Sequence, residues 1–217
     1  MMAEAALAVR QLMRGCRKAA LATAGEGGRP TVSLVTVAFD VDAGPILLLS
    51  RLADHTRNID RDPRVALLFD GTGGLSNPQQ GPRVTLEGSI GRDAGERLRR
   101  RFLARHPKAA LYAGFADFAI FRVEPGRAHW VGGFGKARWI EQGLTCPAPV
   151  AAAFAAAEED LLAAVNDRLG GAGRAVAVDP DGCDLRHRGR FTRRCFTASL
   201  AAPAQVMEQI DRLTTKS

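Results

Sequence analysis

The run from Pro45 to Phe69 constrains the fold more than any other part of the chain. An apolar segment, Pro45-Ile-Leu-Leu-Leu-Ser50, enters a short polar stretch that carries Arg51, His55, Thr56, Arg57 and Asn58. A second apolar segment, Val65 to Phe69, follows at once. The polar stretch reads as one or two helical turns, with Asp54 suited to an N-cap and Pro63 forcing a stop just beyond. Hydroxyls, an amide, guanidiniums and a helix start at the end of a buried strand make an anion seat, where donors and free N–H groups converge on one phosphate. An ordinary polar turn between two strands has the same spacing, and spacing alone does not choose between them.

The rest of the chain is punctuated in the same way. Leu7, Leu12, Met13 and Cys16 fall near helical spacing over residues 3–16, which predicts an amphipathic opening helix. Strands are expected at Ala19–Thr23, Thr31–Phe39, Ile46–Ser50, Val65–Phe69, Arg83–Gly91, Phe118–Val123 and Arg127–Val131, separated by Gly/Pro/Asp clusters. Residues 71–82 hold almost only Gly, Ser, Asn, Pro and Gln and predict a long mobile loop. Asp93 is placed to cap a helix whose Ala94, Leu98 and Phe102 share a face. Many short strands with two or three inserted helices suggest a closed antiparallel barrel rather than βαβ units. The Pro-rich stretch Cys146-Pro-Ala-Pro149 marks a boundary. Beyond it an Ala-rich helix is expected over Val150–Leu169, then three short strands and a closing helix from Pro203 to Leu213. The expected organisation is a barrel over residues 1–145 and a small α+β domain over residues 150–217.

Composition narrows the partners without identifying one. With 46% hydrophobic and 24% charged residues, the 217-residue chain is a globular protein with a real core. The formal net charge of +7 favours anionic ligands such as phosphate, carboxylate or propionate. Cys16, Cys146, Cys183 and Cys195 form no Cys-x-x-Cys pair, which argues against zinc and a disulfide framework and suggests reduced, buried thiols in a cytoplasmic protein. The Ala-rich start carries Glu4 and Arg10 and does not read as a signal peptide, and no window resembles a membrane span.

No acid–base constellation stands out. Ser50, Asp54 and His55 lie within a few residues and lack a Gly-x-Ser-x-Gly elbow, which disfavours a hydrolase. His106 and His129 lack a second ligand at metal spacing and suit core packing or a backbone hydrogen bond. The Gly132–Gly135 run followed by Lys136 is not a P-loop and reads as a flexible turn. Arginines crowd residues 97–105 and 186–194, where a solvated basic face is the usual outcome. Nucleic acid is disfavoured by an aromatic content of 6% and the absence of a recognition motif.

The segment Ser50-x-Leu-x-x-His55-Thr-x-Asn58-Ile-x-x-Asp-Pro63-x-Val-x-Leu-Leu68 resembles the flavin-phosphate region of FMN-binding split-barrel proteins, relatives of pyridoxamine 5′-phosphate oxidase, in the haem-utilisation branch. The resemblance extends through Gly28-Arg-Pro30-x-x-Ser33-Leu-Val-Thr-Val37 and Trp130-Val-Gly-Gly-Phe-Gly135-Lys-Ala-Arg-Trp139. It reaches Asp179-Pro-Asp-Gly182-x-Asp-Leu-Arg186, which is similar to the small C-terminal domain often joined to these barrels. It implies an α+β, mainly β fold: a split antiparallel Greek-key barrel with inserted helices and a small α+β C-terminal domain. It also implies a homodimer with FMN between subunits and an FMN-dependent oxidoreductase, with no catalytic side chain designated. Carried over, Ser50, Arg51, His55, Thr56, Arg57 and Asn58 hold the phosphate, Ser33, Val35 and Thr36 meet the ring edge through side chain and backbone, and Lys136 meets an anion near the cleft. The alternative is a haem- or tetrapyrrole-binding protein without redox turnover, with His187 as the accessible histidine flanked by cations. The sequence ends at Ser217 without the His-bearing extension of haem-degrading members, which lowers the expectation of haem breakdown.

Overall fold

The computed structural model describes residues 2–133 and 135–214, in two compact units: residues 2–40 with 44–145, and residues 41–43 with 146–214. In the first unit β1 (Lys18–Ala24), β2 (Pro30–Phe39), β3 (Pro45–Ser50), β4 (Arg64–Asp70), β5 (Arg83–Arg92) and β6 (Phe118–Val131) form the order β3-β2-β1-β4-β5-β6. An additional β3–β6 pairing closes this sheet into a six-stranded antiparallel barrel, and β7 (Ala137–Ile140) adds to the outside of β6. Alternation does the rest: Leu21, Val35, Val37, Leu47, Leu67, Phe69, Leu86 and Val123 face one buried core.

Two expected strands merge and one was missed. β6 runs unbroken through Pro125-Gly126 because the register of β5 against β6 shifts between Glu87 and Gly88, which puts Pro125 opposite Gly88 at a bulge. A Cβ at Gly88 would overlap the carbonyl oxygen of Glu124, so only glycine fits there. The polar loop at residues 71–82 is organised rather than featureless. Asp70 accepts from Thr72 N at 2.8 Å, Asn77 accepts from Gln79 N at 3.0 Å, and a single 3₁₀ turn spans Pro78–Gln80.

The opening helix α1 (Met2–Gly15) buries Ala5, Ala6, Val9 and Met13 in the barrel core, a smaller-residue face than the leucine spacing suggested. Helix α3 (Glu96–Arg105) packs Leu98 and Phe102 against Ile46, Leu48 and Ile120 on the barrel's outside. Its N-cap is Gly95, two residues later than expected, and Asp93 instead accepts from Gly95 N at 2.7 Å. Apart from the exposed Arg100, the arginines of this helix are not a solvated face. Arg101 and Arg105 are buried and donate to the carbonyls of Phe39, Arg14 and Cys16, Arg97 grips Asp40 through two bonds of 2.6 and 2.9 Å, and Arg99 donates to the Ala113 carbonyl. His106 is buried with Nε2 2.8 Å from the Val37 carbonyl.

The second unit places α4 (Ala148–Ala156), α5 (Glu158–Leu169) and α6 (Val206–Thr214) with the three-stranded antiparallel sheet of β8 (Arg174–Asp179), β9 (Gly182–His187) and β10 (Arg190–Cys195). The single helix expected over Val150–Leu169 breaks at Ala157, where Glu158, Glu159 and Asp160 favour a new helix N-terminus. The Asp-Pro-Asp-Gly turn is held by charge: buried Arg193 donates to Asp179 at 2.8 and 3.0 Å and to Asp184 at 2.8 Å. The four cysteines are free; Cys146 and Cys183 are buried, whereas Cys16 is half-buried and Cys195 exposed, so buried thiols describe two of the four. Burial raises the Cys183 thiol to about 12. Among the described residues, no helix is long and apolar enough to cross a membrane and no group of His, Cys, Asp or Glu is arranged to hold a metal ion.

Candidate functional site

The barrel opens on one side. β2 pairs with β3 only from Val37↔Leu47 to Phe39↔Pro45, while β3 continues alongside β6 to Ser50↔Phe118. Among the described residues, no strand pairs with β2 on that side from Thr36 back toward Pro30. Val37 N donates to Arg17 O at 3.0 Å, so Val37, Val35 and Ser33 turn their backbone groups toward β1. By the two-residue period, Thr36, Leu34 and Val32 turn theirs toward the opening. A free strand edge of alternating donors and acceptors results.

The segment after β3 packs beside this opening, against β1 and β2. Helix α2 (Asp54–Arg61) starts from Ala53 with no side-chain cap. Asp54 is its first residue, not its cap, and its carboxylate pairs with Arg57. The turn before it is clasped by the residue that precedes β6, the strand paired with β3. Ser50 Oγ donates to Asp117 Oδ2 at 2.5 Å and accepts from Leu52 N at 3.1 Å, and Arg51 N donates to the Asp117 carbonyl at 2.8 Å. Asp117 had no signal in the sequence, since its role depends on a contact 67 residues away. The Ser50 proton is thereby committed to a carboxylate.

The remaining side chains divide by exposure. Asn58 is 4% exposed, donating to Thr23 Oγ1 at 3.0 Å and accepting from Arg61 at 3.1 Å. Thr56 is fully buried and its hydroxyl has no hydrogen-bond partner among the described residues. These two residues face the barrel. His55 is half-buried, with Nδ1 3.2 Å from Ser33 Oγ, and burial holds its pKa below the ordinary imidazole value against a weaker opposing pull from Asp54. Ser50 is hydrogen-bonded to Asp117 and His55 to Ser33, so the grouping of Ser50, Asp54 and His55 near one another in sequence does not assemble as a triad. Arg51 and Arg57 are exposed. Arg57 also donates to the Leu52 carbonyl at 2.9 Å. Further along, hydrogen bonds from Arg64 hold the Asp62 carboxyl down at about 2.

Ser33 and Thr36 lie on opposite faces of β2, the first toward the interior with Val35 and the second outside. Lys136 is exposed in the β6–β7 turn, where Gly132 N donates to its carbonyl at 2.8 Å. Phe134 of that turn lies outside the described residues. Register separates the turn from α2: Asp70 of β4 pairs with Arg83 and so with Val131 before the turn, while Arg64 directly follows α2. Six residues of strand hold these ends roughly 20 Å apart. One chain therefore does not bring Lys136 to the α2 segment.

The outside of the barrel carries an apolar field. Val32 (67% exposed) and Leu34 (74%) of β2 pair with Ala22 and Ala20 of β1, which pair in turn with Ala66 and Leu68 (41%) of β4. Next to it lies a groove of about 780 Å³ floored by Ala22, Ala66, Gly88 and Gly126 and flanked by Arg64 and Arg127, within the usual volume range of ligand sites.

Comparison with known proteins agrees with this architecture. The sequence profile of the pyridoxamine 5′-phosphate oxidase family matches residues 6–132. A non-canonical heme oxygenase of Arabidopsis thaliana chloroplasts is 35% identical over 115 residues, 51% of this chain and 34% of the relative. The chain thus spans about a third of that relative's length. Among solved structures, a protein of unknown function from Agrobacterium tumefaciens superposes with a TM-score of 0.78 at 24% identity, covering 96% of this chain and 94% of the other. A heme binding protein from Mycobacterium smegmatis gives a TM-score of 0.62 at 25% identity, covering 98% and 96%.

Proposed function

Because the chain belongs to the pyridoxamine 5′-phosphate oxidase family, we propose that its barrel binds FMN as a flavin-dependent oxidoreductase. The observation that carries this reading is the opening where β2 leaves β3, with a free strand edge on one side and a cationic helix start beside it. The residues fit the cofactor in two respects. Exposed Arg51 and Arg57 offer guanidiniums to a phosphate, and the backbone groups of Thr36, Leu34 and Val32 offer donors and acceptors to a ring edge. Ser50 and Asn58 serve the seat indirectly by holding the turn and the helix, and the Ser33–His55 contact fixes the helix against β2. FMN, when bound, supplies the electron-transfer chemistry through its own ring, so the protein needs no nucleophile.

The proposed working unit is a homodimer. The exposed Val32, Leu34 and Leu68 favour a second copy over water. A two-fold arrangement also lets the partner's β6–β7 turn bring its lysine to the seat that Lys136 does not reach within its own chain. Tetrapyrrole binding without redox turnover is the second reading; the heme-binding structural neighbour and the 35% identity to a heme oxygenase support the ligand and do not bear on the absence of turnover.

Titration of the purified chain with FMN, by fluorescence quenching and calorimetry, tests the seat. Replacing Arg51 and Arg57 together by alanine is expected to weaken binding about 10- to 100-fold, less than the full value of charge-assisted bonds because both groups are screened by water. Asp54→Asn removes a carboxylate that competes at the helix start and should tighten binding about two- to fivefold. Unchanged affinity in the double variant would remove the seat; a wild type that binds no FMN would remove the flavin reading itself.

A further inference from the structure

We propose that a cavity over the outer face of β3 and β6, bordered by the start of α3, binds a free α-amino acid with an apolar side chain. It uses none of the residues assigned above to the flavin and stands independently of that reading. Alternation along β3 creates its floor. Leu47 and Leu49 point into the barrel core, so Ile46 and Leu48 point outward, where Leu98 and Phe102 of α3 pack with them. Helix α3 and the turn at residues 112–118 do not fill all the space they enclose. A cavity of about 420 Å³ remains beside Leu48, Phe118 and Ile120, within the volume range of small-ligand sites. Phe115 also lines it and is left 59% exposed.

The charges in the lining identify the ligand class. Arg92 is already matched: it donates to both oxygens of Asp60 at 3.1 Å, and its guanidinium lies 5.5 Å from the centre of the Phe121 ring. Asp93 and Arg99 are not. Both are half-buried and line this one cavity, yet they form no ion pair with each other or with any other described residue. Asp93 Oδ1 accepts from Gly95 N at 2.7 Å, which leaves its second oxygen. Arg99 Nη2 donates to the Ala113 carbonyl at 3.0 Å, which leaves Nη1 and Nε. Two opposite charges held in a partly dry space without meeting carry a desolvation cost that a bridging ligand relieves. A simple anion would face Asp93, and a simple cation would face Arg99. A zwitterion suits both. Its carboxylate takes the guanidinium, its ammonium takes the aspartate, and its side chain lies on Leu48, Phe118 and Ile120 and shields Phe115 from water. An aromatic or branched aliphatic side chain suits such a floor.

The test is calorimetry and ligand-observed NMR on the full chain with L-phenylalanine, L-leucine and two analogues that each lack one charge. Both amino acids are expected to bind saturably at millimolar or lower concentration. Phenylpropionate, without the ammonium, and phenethylamine, without the carboxylate, should each bind about tenfold more weakly than phenylalanine. Asp93→Asn keeps the acceptor for Gly95 N and removes the charge. It should bind phenylalanine about tenfold more weakly and phenylpropionate more tightly than the wild type does. Arg99→Met should do the reverse, losing phenylalanine and gaining phenethylamine. A gained ligand is a readout that misfolding cannot imitate. Saturating FMN should leave phenylalanine binding unchanged. No saturable binding of either amino acid to the wild type would overturn the proposal. So would a single-charge analogue that binds as well as phenylalanine, displacement of phenylalanine by FMN, or an Asp93→Asn protein that gains no affinity for phenylpropionate.

Discussion

Replacing Arg193 by methionine isolates the energetics of the second unit. The guanidinium is 4% exposed and answers two carboxylates, Asp179 at 1% and Asp184 at 5%. Its removal leaves both acids buried without their cation, a change that costs about 3–5 kcal/mol. An acid can relieve this by taking up a proton. From an ordinary carboxylate value near 3.9, neutralising one aspartate at pH 7 costs about 4 kcal/mol, at 1.36 kcal/mol per unit, so the two approaches give the same size. A unit of about 75 residues has roughly 4–11 kcal/mol of stability in total, so the variant should be close to unfolding there. The pH dependence is the sharper test. Because the penalty is a protonation cost, it should shrink by up to about 1.4 kcal/mol for each pH unit lowered and nearly vanish by pH 4. Both tryptophans, Trp130 and Trp139, lie in the barrel unit, so their fluorescence reports that unit while far-ultraviolet circular dichroism reports both. Urea titrations at pH 7 and pH 5 should show an early dichroism transition at pH 7 that is absent from the fluorescence. A loss below about 1 kcal/mol, or one that does not change with pH, would refute the claim that Arg193 neutralises buried charge.

Two further perturbations probe the barrel. Gly88→Ala forces a methyl group into the Glu124 carbonyl at the bulge and is expected to destabilise the barrel by about 1–3 kcal/mol, read from the urea midpoint of tryptophan fluorescence. His55 is held below its ordinary pKa by burial, so the unfolded chain binds the proton more readily. Its contribution is complete above an unfolded pKa near 6.5 and is lost as pH falls through that value toward the lower folded one, and His55→Gln should flatten this part of the stability–pH curve.

Much of the barrel was legible because its strands are short, alternate cleanly and are bounded by Gly and Pro. The strand–turn–strand run at Pro45–Phe69 falls as β3, α2 and β4, within one residue at most boundaries. Failures occurred where a long-range contact overrides a local pattern. The Phe118–Val131 strand reads as two until the bulge opposite Gly88 explains why Pro125 is tolerated inside it. The β7 strand is too short and too polar to show itself, and it owes its conformation to pairing with β6. In the candidate site, Arg51 and Arg57 were legible as cations at a helix start. That Asn58 faces Thr23 and that Ser50 is tied to Asp117 were not, because both partners are distant in sequence.

A formal charge of +7 invites the view that this chain advertises itself to polyanions. The buried guanidiniums say otherwise. Arg14, Arg101 and Arg105 spend their donors on main-chain oxygens, Arg14 on that of Asp40, stitching the opening helix and α3 to the barrel wall. Arg193 neutralises acids from within. These residues are carpentry, and an ion-exchange column or a passing nucleic acid feels little of them. Lysine, with a compact ammonium and no planar fork, is a poor substitute at such joints. Arginine richness in this chain is therefore partly a record of how its pieces are fastened, which a tally of surface signs overstates.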